Sequence, residues 1–367
     1  MTFEDRLKKD GRKKLLALDG GGIRGVITLE ILAKIERLLR EREENANLVL
    51  ADYFDYIAGT STGAIIATCL SLGKSVAAVQ NFYIESGPDM FDRASLLRRF
   101  RYSFEDQKLS GKLRDVIGAE TTLGSEELRT LLMIVLRNAT TDSPWPLSNN
   151  PGAKYAMNRA LPLWQLVRAS TAAPTYFPPE LVRLTDRQGK ELEFLFVDGG
   201  VTMYNNPAFQ LFLMATVQPY NLCWKAGLND MLLVSVGTGT SPQANANLQP
   251  DEMNLLYNAK SIPSALMSAA LNEQDFLCRV FGDCRHGDAL DREVGDMIDQ
   301  EGPASPKLFA YLRYNTELTR KGLDALGLPD VVPEHVQMLD SVDHIKELGR
   351  VGRAVAGGVK IDHFNGF

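Results

Sequence analysis

A serine flanked by glycines, Gly59-Thr60-Ser61-Thr62-Gly63, is the part of this sequence best suited to nucleophilic chemistry. An apolar run leads into it and a second, stronger one, AIIATCLSL, leaves it. On a sharp strand-to-helix turn the serine presents its hydroxyl, and glycines two positions away let strand and helix pass closely. The helix that follows then aims its positive end at the serine and at any oxyanion formed there. A glycine-flanked helix cap satisfies the same pattern by chance, so the motif gains meaning from its company.

Two other glycine clusters supply that company. Asp19-Gly20-Gly21-Gly22-Ile23-Arg24-Gly25 also falls between an apolar run and a helical one. Consecutive glycines allow several backbone N–H groups to converge on a negative oxygen, and Arg24 either holds the loop or favours the anion. Gly20, Gly22 and Gly25 equally match the GxGxxG fingerprint, which opens a second reading as a nucleotide-binding oxidoreductase. That reading needs a carboxylate at the tip of the next strand, whereas Glu43 and Glu44 lie at the charged end of a helix. The third cluster, Val197-Asp198-Gly199-Gly200, puts a carboxylate at the end of an apolar run, although Asp-Gly is also a common turn pair.

The elements that must position these residues alternate between strands and helices. Residues 14–18 (KLLAL), 53–58, 193–197 and 231–236 read as strands. Residues 26–42 read as an amphipathic helix, with Leu32, Ile35 and Leu39 at helical spacing. Residues 61–72 read as a helix apolar nearly all round, hence buried. Asn206-Pro207 opens another helix, cap first and proline in the first turn. Residues 141–152 (TDSPWPLSNNPG) read as a loop. The expected organisation is an N-terminal arm over 1–13, solvated and partly frayed, a core over 14–243, and a mostly helical extension or small subdomain over 244–367.

With 367 residues, 45% hydrophobic and 23% charged, the chain has an ordinary globular composition. A net charge of -6 excludes a globally basic binder of nucleic-acid polymers. No apolar run reaches the ~18 residues of a membrane span, and the charged N-terminus is no signal peptide. Cys69, Cys223, Cys278 and Cys284 are scattered, which reads as reduced thiols in the cytoplasm, and Cys278, Cys284 and His286 fit no standard zinc spacing. Residues 90–104 (MFDRASLLRRFRYSF) mix arginines with apolar side chains, a pattern that suits either an anionic membrane surface or a packed helix with a solvated face.

In combination the three glycine clusters resemble the patatin-like phospholipase family. Its members carry a DGGGxR oxyanion loop, a GxSxG elbow and a later DGG bearing the catalytic aspartate, and all three occur here in that order. Arg168-Ala169-Ser170-Thr171-Ala172-Ala173-Pro174, Asn205-Asn206-Pro207 and Ser235-Val236-Gly237-Thr238-Gly239 resemble further family segments. The resemblance covers residues 14–239. It implies an α/β three-layer fold with a mainly parallel central sheet and helices on both faces. It also implies a Ser–Asp dyad: Ser61 as nucleophile, Asp198 as the group that activates it, and Gly20, Gly21, Gly22 and Arg24 as the oxyanion loop. Gly59 and Gly63 then shape the elbow, and Gly199 and Gly200 the turn after the aspartate.

The implied activity is hydrolysis of acyl esters of membrane phospholipids through an acyl-enzyme, releasing fatty acids, with neither metal nor cofactor. His286, His335, His344 and His363 all follow the last predicted strand, and none is placed as a triad histidine should be. Compact bacterial relatives resemble both housekeeping lipases and effectors of cyclic-oligonucleotide antiphage systems. A cyclic oligonucleotide activator, self-association into a homo-oligomer, and peripheral action at the inner face of the membrane are therefore carried as expectations. A catalytically inactive lipid-binding protein is a third reading, against which intact Ser61 and Asp198 argue.

Overall fold

A computed structural model describes residues 2–91, 103–174, 176–185, 188–241 and 255–367. The centre is a nine-stranded sheet: β1 (Lys13–Leu18), β2 (Tyr56–Thr60), β3 (Leu131–Asn138), β4 (Ser143–Ser148), β5 (Glu180–Thr185), β6 (Glu191–Asp198), β7 (Met231–Val236), β8 (Asp283–His286) and β9 (Ala310–Tyr314). Its order is β5-β6-β3-β2-β1-β7-β9-β8, with β4 also on β3. The run from β3 through β2, β1, β7 and β9 to β8 is parallel throughout, while β4, β5 and β6 pair antiparallel. Strands covered on both faces read as continuous apolar runs, and KLLAL and MLLVSV do. Alternate residues of β1 serve opposite layers. Leu16 and Leu18 join the core beneath the Gly25–Arg42 and Thr62–Ser71 helices, and Leu15 and Ala17 the core beneath Ala208–Thr216.

One detail of register brings two glycine clusters together. β2 runs beside β3 only as far as Thr60, opposite Val135. From Leu136 onward β6 pairs with β3, and Asp198 lies opposite Leu136. The bonds from Leu131 N–H to Asp55 and from Ala139 N–H, one residue past β3, to Leu195 leave odd-numbered residues of the same run, so both neighbours occupy the same edge. The last residue of β6 therefore meets the last residue of β2 end to end.

Several expectations need correction. The predicted loop at 141–152 contains β4, despite Pro144 and Pro146. The Asn149 N–H bond to the Leu132 carbonyl sets a phase in which Ser143, Trp145 and Leu147 face β3, so both prolines turn their missing N–H outward. Tyr53 closes a helical turn, Leu50–Tyr53, and the strand begins at Tyr56. The N-terminal arm is docked: Arg6 is 1% exposed and its guanidinium reaches Asp55 and the carbonyls of Ala51, Phe54 and Arg129. Residues 255–367 are mainly helical in their regular structure, yet β8 and β9 belong to the central sheet and β9 is wholly buried. The expected boundary at 243/244 and residues 92–102 of the arginine-rich segment lie outside the described residues. Among the described residues no helix is long and apolar enough to cross a membrane.

Candidate active site

Ser61 stands at the junction of β2 and the Thr62–Ser71 helix with φ 54° and ψ -124°, a region that non-glycine residues rarely enter. The strain holds because the turn is confined on both sides. A Cβ on Gly59 would come within 2.0 Å of the Gly63 carbonyl oxygen, and one on Gly63 within 2.3 Å of the Leu18 carbonyl oxygen. Helix, β2 and β1 thus pack against each other through bare backbone, and the serine is forced outward at the sheet's C-terminal edge.

The end-to-end meeting of β2 and β6 then delivers the carboxylate. Ser61 Oγ donates to Asp198 Oδ2 at 2.6 Å, and the other oxygen, Oδ1, accepts from Gly200 N–H at 2.6 Å. Gly199 permits the turn: a Cβ there would lie 2.3 Å from the Val135 carbonyl oxygen. Asp198 is 4% exposed. Burial pushes its carboxyl up to about 6, against the opposing pull of the Ser61 hydroxyl, the Gly200 N–H and the nearby Arg168 charge. A carboxylate so placed is a stronger base than an exposed one while remaining ionised at neutral pH.

The glycine-rich loop lies over this pair. A Cβ on Gly20 would meet Ser61 Cβ at 3.2 Å and Asn205 Oδ1 at 2.3 Å. Gly20 N–H donates to the Asn205 carbonyl at 3.1 Å, which corrects its expected part as an oxyanion donor; it provides room instead. Among the described residues Gly21 N–H and Gly22 N–H have no acceptor, so the two free donors of the loop are theirs. Gly22 has a left-handed φ of 59°, and a Cβ on it would strike the Leu339 carbonyl oxygen at 2.3 Å. Arg24 takes the loop-holding part of its two expected roles. It is buried and donates through Nη1 to the Gln337 carbonyl at 3.1 Å, and burial lowers its guanidinium to about 10.

Residues that carried no assigned role hold the arrangement. Ser170, from the alanine-rich segment, accepts from Ser61 N–H at 2.9 Å and donates to the Val135 carbonyl at 2.7 Å. Thr238 donates to the Gly20 carbonyl at 2.9 Å, and Thr60 to the Tyr204 carbonyl at 2.6 Å. Asp19 is clamped by Arg313 of β9 through two bonds of 2.9 and 2.6 Å, both residues almost fully buried. Arg313 left a trace in the sequence, a single cation inside the buried run AYLRY.

Among the described residues no histidine is hydrogen-bonded to Ser61 or Asp198. His286 does end a strand, contrary to expectation, but β8 is four strand spacings from β2, about 19 Å. Its ring stacks on His363 at 4.7 Å. His335 and His344 bond to Glu347. The oxidoreductase reading loses its ribose-binding carboxylate: the residue beyond the tip of β2 is Ser61, while Glu43 and Glu44 follow the end of the Gly25–Arg42 helix. Cys284 Sγ approaches the His286 carbonyl, and all four cysteines are unpaired.

A strained serine beside a buried carboxylate thus lies at the edge of a parallel sheet, under a glycine loop. The chain belongs to the patatin-like phospholipase family, whose model matches residues 16–212. It is 32% identical over 232 residues to a protein of Escherichia coli (strain TW11681) described as a cGAMP-activated phospholipase, covering 62% of each chain. A Vibrio cholerae protein with the same description is 30% identical over 241 residues, covering 61% of this chain and 64% of that one. Patatin-17 of Solanum cardiophyllum is 30% identical over 249 residues, covering 62% and 61%. In each case the match spans less than two thirds of the relative's own length.

Proposed function

We propose that this protein hydrolyses acyl esters of phospholipids with Ser61 as nucleophile and Asp198 as its direct base. Asp198 Oδ2 takes the Ser61 proton as Oγ adds to the ester carbonyl, and the tetrahedral oxyanion is held by Gly21 N–H and Gly22 N–H. Collapse expels the alcohol, which recovers the proton from Asp198 and leaves an acyl-enzyme. Water, deprotonated by the same carboxylate, then releases the fatty acid. The observation that carries this reading is the 2.6 Å bond between Ser61 Oγ and a buried carboxylate, with His286 and His363 on the far side of the sheet.

The apolar surface offered to an acyl chain is an open cleft of about 430 Å3 beside the residues that follow the Asp198 turn, where Val201, Met203, Leu266, Met267 and Pro144 stand with Arg137 and Asp142. Val201, Met203 and Leu266 are each more than a third exposed, as expected of side chains that meet the membrane surface from the cytoplasmic side. The relatives described as cGAMP-activated support a cyclic oligonucleotide as the activator. Purified protein should release fatty acid from phospholipid vesicles, more so with cGAMP, and Ser61 should be labelled by a fluorophosphonate. Ser61→Ala should abolish both while staying folded, and His286→Ala and His363→Ala should each keep most of the turnover. A folded, inactive, unlabelled His286 or His363 variant would overturn the direct dyad.

A further inference from the structure

We propose that His335, His344 and Glu347 form a binding site for a transition-metal dication, zinc being the best fit. Their donor atoms all lie within 4.8 Å of one another. Glu347 Oε1 is 3.3 Å from His335 Nδ1 and 3.2 Å from His344 Nδ1. Zinc bonds of about 2.0–2.2 Å to nitrogen and oxygen place tetrahedral ligands about 3.3–3.5 Å apart, so these edges are nearly the length a bound ion needs. The two imidazoles stack at 3.7 Å with planes 16° apart, so to share one ion through both Nδ1 atoms one ring must swing out of the stack. Two neutral nitrogens and one carboxylate suit a borderline dication and disfavour magnesium or calcium, which take mostly oxygen. The three side chains are 29–38% exposed, so an ion can enter and a water can complete its shell.

The position gives the site a consequence. His335 belongs to the short Pro333–Gln337 helix, whereas His344 caps and Glu347 begins the Ile345–Ala356 helix. Between them runs the turn that lies on the glycine loop: the Gln337 carbonyl accepts from Arg24, and the Leu339 carbonyl from Ile23 N–H at 2.9 Å. The Gly22 backbone also abuts the Leu339 carbonyl. An ion bound by residues 335, 344 and 347 staples both ends of that turn and so stiffens the support of Gly21 and Gly22. Metal binding here is independent of the hydrolytic reading, because its primary readout is the ion itself.

The test uses the full-length protein stripped with EDTA and then titrated with Zn2+, with Mg2+ as comparison. We expect one Zn2+ per chain and no comparable uptake of Mg2+. His335→Ala and His344→Ala should each lose that equivalent, and Cys223→Ser should keep it. Co2+ loaded in place of zinc should give visible ligand-field bands without thiolate charge-transfer absorption. With free zinc at about ten times its Kd, amide exchange at Ile23 should slow about tenfold, since the closed form alone holds the ion. Wild-type protein that takes up no zinc, or histidine variants that bind it unchanged, would sink the proposal. Thiolate bands in the Co2+ spectrum would likewise move the ion to a cysteine.

Discussion

Asp198 ends β6 in surroundings that raise its carboxyl to about 6, and at the scale of single residues that sets two measurable pH dependences. In the proposed dyad Asp198 must be ionised to take the serine proton. The acid limb of kcat/KM on a soluble ester should therefore fall near pH 6 rather than near 4, and Asp198→Asn should be inactive across the range. Stability carries the opposite sign. A carboxyl whose folded pKa is raised stabilises the fold most below its unfolded value near 4, and that contribution is lost as pH rises through 6. Relative to Asp198→Asn, wild type should thus lose about 2–3 kcal/mol between pH 4 and pH 7, read by urea unfolding at both pH values. Equal pH dependence in the two proteins would mean that Asp198 is not held above its ordinary range. Residues of this kind were legible because Ser61 and Asp198 each carry a glycine signature. Ser170 and Asn205 were not assigned roles, because what they bond is backbone from distant segments, and sequence spacing does not encode that.

Among elements, the glycine loop shows how shape and donor geometry separate. Gly21 has φ 170°, ordinary extended backbone, so no left-handed conformation demands glycine there. What demands it is Thr238: a Cβ on Gly21 would lie 2.1 Å from Thr238 Oγ1, the hydroxyl that anchors the Gly20 carbonyl. Gly21→Ala should displace the loop and reduce kcat on the order of 10²-fold, as loss of one oxyanion donor does. If the clash is the cause, Gly21→Ala combined with Thr238→Gly should regain part of that loss. A double variant no better than the single, with Thr238→Gly alone close to wild type, would place the defect in Gly21 itself. Four strands, β1, β2, β6 and β7, and the Gly25–Arg42, Thr62–Ser71 and Ala208–Thr216 helices were legible from apolar runs and periodicity, within a few residues at their ends, whereas β3, β5 and β9 were not assigned. β4 was hidden by its prolines, which an edge facing away from its partner tolerates. β8 is short and polar, with no run of apolar residues to announce it.

The whole molecule depends on a contact no local pattern reveals. β9 lies beside β7 and sends Arg313 beneath the glycine loop, where it holds Asp19 bidentately and also donates to Ser235 Oγ at 2.7 Å. Asp275, on the Leu255–Phe281 helix, lies 3.9 Å from Arg313 Nε, accepts from Tyr311, and is gripped by Arg279. One buried chain of charges therefore ties the C-terminal third to the first strand-to-helix turn, and we propose that residues 14–367 unfold as one unit. Removing one member of such a pair leaves an uncompensated buried charge, which typically costs about 3–5 kcal/mol, whereas replacing both with neutral groups costs far less. Arg313→Met should accordingly lower stability by about that amount, while Asp19→Asn with Arg313→Met recovers much of it. Thermal and urea unfolding, followed by far-UV signal and by tryptophan emission, should give coincident single transitions in wild type. If Arg313→Met produced two transitions, with the 255–367 signal lost first, the C-terminal region would be a separate unit docked on the core. If the double variant were as unstable as the single, the pair would matter for packing and not for its charges.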